Sequence, residues 1–378
     1  MHVGQVSHLY RPSIGGIENY VTRVNESLQA AGHVSTTFTT DMSLENGHQP
    51  ADGPGNVHYC RTTGAVLRNP LSIELYRSVR RSDFDVYHLH NPWLLPTLEA
   101  AHAVPDDAAV VMTVHSAEIK NNSWTISALN SAYKPFANYI FEAVDHNFVQ
   151  GETEKHRLLN RFDVGSEDVS VLPNGIRPDD YEVPAESVVD FEADHGLDPD
   201  VPTVLYVSRL IPEKNPGVLV DAVEKHLEEQ EVQVLVIGDG EPSFVEPLRR
   251  RAGNRVQFCP TLPFEELKAA YHAADLFVFL GTWEGLPTVI LEAMNAATPI
   301  ISTPVGAIPD TVTDPDNGRL VESPPKPAAV AAAITEFLED PELRRAVGER
   351  NRERVRSEYR WSDIAADIID RYEREVHS

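Results

Sequence analysis

The sequence predicts an α/β protein of two Rossmann-like parallel-sheet domains facing a central cleft, with a helical C-terminus. From residue 200 onward, short apolar runs alternate strictly with segments of helical periodicity. That is the pattern of a parallel sheet covered by helices on both faces. The first half repeats it less regularly. At 378 residues the chain is also longer than one hydrophobic core usually supports.

The first domain is expected over 1–178. HVGQVSH reads as a strand and leads into a Gly-rich turn, Ser13 to Gly16. A helix from about Ile17 to Gly32 follows, because Ile17, Tyr20, Val21, Val24 and Leu28 keep helical spacing and Gly32 can stop it. Further strands are expected at STTFTT, NVHYC, FDVYHLH, AAVVMTVH, DHNFVQG and VSVLPNGI, with a partly exposed helix over NNSWTISALNSAYKPFANYIFEAV. Residues 179–200, acidic and proline-punctuated, read as a linker. In the second domain, 201–358, strands are expected at TVLYVSRL, VQVLVIGDG, RVQFC, DLFVFLG and PIIST. Helices fall at PGVLVDAVEKHLEE, PFEELKAAYHAA and LPTVILEAMNAA, and everything beyond NGRLVES reads as helical. The last stretch, 359–378, is a helix that could pack back on the first domain.

Composition narrows the function. No apolar run is long enough to span a bilayer, and the N-terminus lacks the basic start and apolar core of a secretory signal. Cys60 and Cys259 lie in different halves, which fits a reducing cytoplasm without a disulfide framework or zinc site. The net charge of -26, with only seven lysines among 32 basic residues, excludes a large basic nucleic-acid footprint. Such a surface is either simply solvated or adapted to molar salt, where screening is short-ranged. The acidic triplets at Asp83–Asp85, Asp198–Asp200 and Asp314–Asp316 precede a strand or sit in proline turns, so neither metal nor cofactor is expected.

The chemistry concentrates in GTWEGLPTVILEAMNAATPIIST. Glu284 falls in the loop before a helix, and Glu292 a little over one turn into it, surrounded by Val289, Ile290, Leu291, Ala293 and Met294. A helix apolar all round is buried, so Glu292 needs a partner: an internal one, or ligand hydroxyls such as those of a sugar or ribose. The turn Leu286–Pro287–Thr288 offers the free N–H groups of a helix start, an anion site. Gly15 and Gly16 permit close backbone approach or merely a tight turn. Arg209 and Lys214 follow a buried strand at the carboxyl edge of the sheet, where a diphosphate would lie, and His115 ends a strand at the same kind of edge. GDG at Gly238–Gly240 is weak evidence for a nucleotide.

Taken together, IGGIENYVTRVNESLQAAGH, VLPNGI, VSRLIPEKNP, VIGDGE and WEGLPTVILEAMNAATPIISTPVGAIPD resemble the family-four retaining glycosyltransferases of the GT-B fold, over nearly the whole chain. The resemblance implies that Arg209 and Lys214 bind a donor diphosphate, helped by backbone at Gly15–Gly16 and at Leu286, Pro287 and Thr288. It implies that Glu292 holds the ribose, Glu284 the donor sugar, and that His115 touches the sugar near the reacting carbon. Backbone near Thr261 and Leu262 would meet the base. The implied partners are a nucleotide-diphosphate sugar and a hydroxyl acceptor, with a lipid-linked acceptor among the options. The helix around Tyr133–Phe141, with Phe136 and Tyr139, is then either an ordinary surface helix or a peripheral membrane contact, and anionic lipids should attract so acidic a chain weakly. The sequence departs from the family pattern at Ser208, Ser116 and Ala297, the first and last of which usually hold glycine. A nucleotide-sugar epimerase and a non-catalytic nucleotide-sugar binder remain as alternatives.

Overall fold

The computed structural model describes residues 1–13, 15–47, 49–50, 54–117 and 124–377, and for 45–47 and 124–130 the backbone alone. The chain forms two compact units, Met1–Asn174 with Ser362–Ser378, and Gly175–Trp361.

In the first unit β1 (His2–Val6), β2 (Val34–Thr40) and β3 (Asn56–Cys60) precede a hairpin of β4 (Gly64–Val66) and β5 (Asn69–Leu71). Then come β6 (Val86–His90), β7 (Ala109–Val114), β8 (His146–Val149) and β9 (Val169–Val171). Seven of these make one parallel sheet in the order β3-β2-β1-β6-β7-β8-β9, and the hairpin is a separate antiparallel pair. Parallel strands buried on both faces must be apolar or internally paired. β6, VYHLH, is buried throughout; its two histidines survive because each ring nitrogen of His88 finds a hydroxyl, Tyr372 at 2.5 Å and Thr113 at 2.7 Å. Tyr372 belongs to the last helix, Trp361–Val376, whose residues from Ser362 onward are part of this unit. The helix expected from Asn121 is seen over Trp124–Glu142, while its first expected residues lie outside the described ones.

In the second unit β10 (Thr203–Val207), β11 (Gln233–Ile237), β12 (Val256–Cys259), β13 (Leu276–Phe279), β14 (Ile300–Ser302) and β15 (Gly318–Leu320) form a parallel sheet in the order β12-β11-β10-β13-β14-β15. The strand order reverses at β10 and β13, and ligands of such sheets bind outside the carboxyl ends at that reversal.

The structure adds elements absent from the sequence reading. Residues 179–200, expected as a linker, hold most of a 3-10 turn (Pro178–Tyr181) and a helix (Ala185–His195) that belong to the second unit, with Phe191 buried in its core. The four valine and alanine residues on that helix, Ala185, Val188, Val189 and Ala193, hide little apolar area, so its period was faint. The hairpin and β15 are only three residues per strand, too short for a periodic signal.

Candidate functional site

Three groups expected at the site leave the carboxyl ends of β10 and β13. After β10 the chain passes Arg209, which is exposed, and enters a short 3-10 turn, Pro212–Lys214. That turn is clamped from three sides. The Tyr206 hydroxyl donates to the Lys214 carbonyl (2.6 Å), the Asn215 amide donates to the Leu280 carbonyl (2.8 Å), and both the N–H and hydroxyl of Thr282 donate to the Glu213 carbonyl (3.0 and 3.1 Å). Asn215 adopts the left-handed conformation (φ 53°), which asparagine tolerates well, and the helix Pro216–His226 starts from it. Thus the Lys214 ammonium is fixed: it forms an ion pair with Glu284 Oε1 and lies 5.2 Å from the centre of the Phe279 ring. Burial first, then the nearby Arg209 guanidinium, lower Lys214 to about 8, with Glu213 acting in the opposite sense. Two cations and a carboxylate are concentrated at one sheet edge.

GDG supports this edge instead of forming a nucleotide turn by itself. A Cβ at Gly238 (φ 145°) would run into the Ser208 carbonyl, and one at Gly240 into that of Leu210. Between them, the Asp239 carbonyl accepts the Leu210 N–H (2.8 Å) and the Asp239 carboxylate accepts the Thr261 N–H (3.2 Å). The Thr261 amide is therefore engaged. Leu262 is partly buried against the core of the unit.

After β13 the chain turns through Glu284 and Gly285 into the helix Thr288–Asn295, with Pro287 at its N-cap and Leu286 buried. Pro287 lacks an N–H and the Ile290 N–H donates to the Pro287 carbonyl (3.2 Å), so the donors this helix start offers are those of Thr288 and Val289. The turn is gripped by the loop after β14. The Ala307 N–H donates to the Gly285 carbonyl (3.0 Å), and Gly306 (φ 57°) lies so close that a Cβ would strike the carbonyls of Glu284 and Gly285. Glu292 does have internal partners: its Oε1 accepts the Tyr181 hydroxyl at 3.0 Å and its Oε2 the Tyr271 hydroxyl at 2.7 Å. Burial and the adjacent carboxylate push Tyr271 well above the usual phenol range. Since each carboxylate oxygen has two acceptor positions, one on each remains.

The remaining expected residues lie in the first unit. Gly15 is the N-cap of the helix Gly16–Ala30, with extended backbone, and the Glu18 carboxylate folds back over it where a Cβ would sit. The space at Gly16 is open. His115 follows β7 and is partly buried; desolvation, then His8, lower it to about 3, so its imidazole is neutral. It stands in a hydrogen-bonded row: Gln5 Oε1 to His90 Nε2 (2.7 Å), His90 Nδ1 to His115 Nε2 (3.4 Å), His115 Nδ1 to the Gln150 amide (3.4 Å). Tyr20 meets the His115 ring edge-on at 5.1 Å. The Gln5 carbonyl accepts, so His90 carries its proton on Nε2, which in turn makes His115 a donor at Nε2 and an acceptor at Nδ1. Sequence reasoning missed His90, Tyr181, Tyr271, Asn215 and Gly306. Only the alternation in HLH, which puts His88 and His90 on one face of a strand, gave a readable signal.

Comparison with known proteins closes the question of class. Residues 14–180 match the family model Glycosyltransferase Family 4, and residues 189–354 match Glycosyl transferases group 1. The chain belongs to the group 1 glycosyltransferases. A phosphatidyl-myo-inositol mannosyltransferase of Mycolicibacterium smegmatis is 28% identical, covering 99% of this chain and 94% of that protein. A glycogen synthase of Mycobacterium tuberculosis is 24% identical, over 98% and 94%. Among solved structures, a sucrose-phosphate synthase from Thermosynechococcus elongatus shares the fold with a TM-score of 0.80 at 24% identity, covering 99% of this chain and 98% of that one. HepE of Anabaena, in complex with UDP, gives 0.81 at 17% identity, over 98% and 99%. This glycosyltransferase therefore has the GT-B fold of two Rossmann-like domains, and the epimerase and pure-binder alternatives lose their ground.

Proposed function

We propose that this glycosyltransferase moves a sugar from a nucleoside-diphosphate donor to an acceptor hydroxyl with retention of the anomeric configuration. The observation that carries the reading is the fixed Lys214–Glu284 pair beside Arg209 at the β10–β13 reversal. As the bond from the anomeric carbon to the diphosphate breaks, negative charge grows on the diphosphate. Arg209, Lys214 and the N–H groups at Thr288 would stabilise it where it develops, usually the largest catalytic term. Glu284 would accept sugar hydroxyls and Glu292 ribose hydroxyls through its second lone pairs. We assign His115 to the sugar near the reacting carbon and the carbonyl of Thr261 to the base, with Leu262 beside it. The acceptor oxygen bonds to the anomeric carbon on the face the diphosphate leaves, and its proton passes to the departing phosphate oxygen.

HepE was solved with UDP and with UDP-glucose, and the mycobacterial relative is named for mannosyl transfer to a phosphatidyl-inositol. Those names support a nucleotide-sugar donor here and an acceptor for cell-surface glycan, glycolipid or polysaccharide synthesis. The acidic, lysine-poor composition supports work in a salt-rich cytoplasm. Release of nucleoside diphosphate, followed across a donor panel in molar salt, tests the reading. Lys214→Ala and Glu284→Ala should each lower kcat/KM by about 100-fold or more, the scale of losing one charge-stabilising donor, with the thermal midpoint kept. Near wild-type turnover in either would sink the site assignment, and an inverted product anomer by NMR would sink retention.

A further inference from the structure

The two tyrosines on Glu292 are themselves held in place. Tyr181 ends the 3-10 turn Pro178–Tyr181, and that turn is fixed at both ends. Asn295, one helical turn after Glu292, donates its amide to the Pro178 carbonyl (3.1 Å). His272 Nε2 donates to the Tyr181 carbonyl (2.9 Å), and the Phe264 ring meets Tyr181 edge-on at 5.3 Å. Tyr271 stands just before His272 on the helix Phe264–His272 and is fully buried. Two successive residues of one helix therefore serve the same carboxylate, one by bonding it and the other by fixing the turn that bonds it. Tyr181, Tyr271 and Asn295 are all withdrawn from water around a carboxylate that is only 8% exposed.

The choice of partners says what the carboxylate is kept for. A buried carboxylate needs hydrogen bonds or a cation, and an arginine would satisfy both oxygens at once. Among the described residues the side-chain partners of Glu292 are two phenols instead, one on each oxygen. Each oxygen keeps one acceptor position, so whatever completes the site has to donate twice, from two atoms side by side. Adjacent hydroxyls of a sugar ring meet that demand.

We infer that Tyr181 and Tyr271 are positioning residues that aim the open sides of Glu292 at the two neighbouring hydroxyls of a ribose. The site thereby takes ribonucleoside diphosphates and rejects their deoxy forms, deoxythymidine diphosphate sugars among them. This rests on the reading of Glu292 as the ribose group. A missing hydroxyl leaves one carboxylate oxygen short of a donor where water reaches poorly, and a site built to bond a hydroxyl discriminates strongly against its absence. Once a phenol is removed, the carboxylate can turn to other donors and the preference weakens.

UDP, GDP and ADP are titrated calorimetrically into the full chain, followed by the 2′-deoxy and 3′-deoxy forms of the one that binds most tightly. The parent should bind each deoxy form more weakly by about tenfold or more, the scale of one unmet hydrogen bond. In Tyr181→Phe and in Tyr271→Phe at least one of these ratios should fall below about threefold, because the ribonucleotide loses affinity and the deoxy form does not. Where a phenylalanine variant does not fold, His272→Ala, at a half-buried position, loosens Tyr181 without touching the carboxylate and should lower a ratio in the same way. Variants that weaken ribo and deoxy forms alike, keeping the parent's ratios, would reveal a packing role only and overturn the inference while the proposed reaction stands. No binding of any of the three, or equal binding of ribo and deoxy forms by the parent, would overturn it together with the ribose assignment of Glu292.

Discussion

Ala297 has φ 60°, a conformation that costs a residue with a Cβ roughly 1–2 kcal/mol. It follows the helix Thr288–Asn295 at the position where helices often end on glycine. Its N–H reaches the Met294 carbonyl (3.0 Å), and the next N–H, of Thr298, reaches Ala293 (3.1 Å), the paired bonds of a Schellman motif. Here the departure from glycine, noticed in sequence as a mere substitution, has a physical cost. Ala297→Gly should raise stability by about 1 kcal/mol, the strain relieved less the greater freedom of an unfolded glycine. Differential scanning calorimetry reads this directly, and an unchanged or lower midpoint would show that the strain is already absorbed. At the same scale Glu292 was read only in part. Its burial and its need for a partner were legible from five apolar neighbours. That the partners are Tyr181 and Tyr271, 111 and 21 positions away, was not. Side-chain partners brought together only by folding leave no periodic trace.

Elements were easier to read than their joints. Nearly every strand of the two large sheets was evident, because parallel strands buried on both faces are continuous apolar runs. The loops that aim the chemistry were not, because their geometry depends on backbone meeting backbone. Gly238 and Gly240 are the clearest case: in sequence GDG was only weak evidence for a nucleotide, and in the structure the two glycines allow the loop after β11 to touch the carbonyls of Ser208 and Leu210. Gly240→Ala should therefore shift the Arg209 loop and raise the donor KM, or prevent folding, even though no ligand group is altered. Isothermal titration with the nucleoside diphosphate checks it, and parent-like affinity in a folded variant would refute the bracing role. The hairpin at 64–71 shows the same limit, since a Leu-Arg turn carries none of the Asn-Gly signature.

For the whole molecule, the notable balance is between acidic surface and neutral interior. His8, His88, His115 and His146 are all lowered by burial from 6.5, to about 4, 3, 3 and 4, and His90 lies well below its ordinary value. In each case the unfolded chain binds a proton more readily than the folded one. The stability these groups contribute is therefore present above about 6.5 and is lost as pH falls through the window toward 4. Thermal unfolding at pH 7 and pH 5 should differ by many degrees, with the lower midpoint at pH 5; equal midpoints would mean the rings can protonate in place. Acid lability of this kind is invisible in the composition, where 15 histidines simply count as neutral.

The same accounting of protons singles out one amine. With only seven lysines, and Lys214 lowered to about 8, a mildly basic solution leaves roughly half of that side chain unprotonated while an ordinary lysine stays almost wholly charged. An acylating reagent used sparingly at that pH should mark Lys214 before the others, and peptide mass mapping would locate the label. A bound nucleoside diphosphate should shield it. Equal labelling of all seven would count against the lowered amine. If the label goes where expected, the chain supplies its own titrant for counting competent molecules in any preparation.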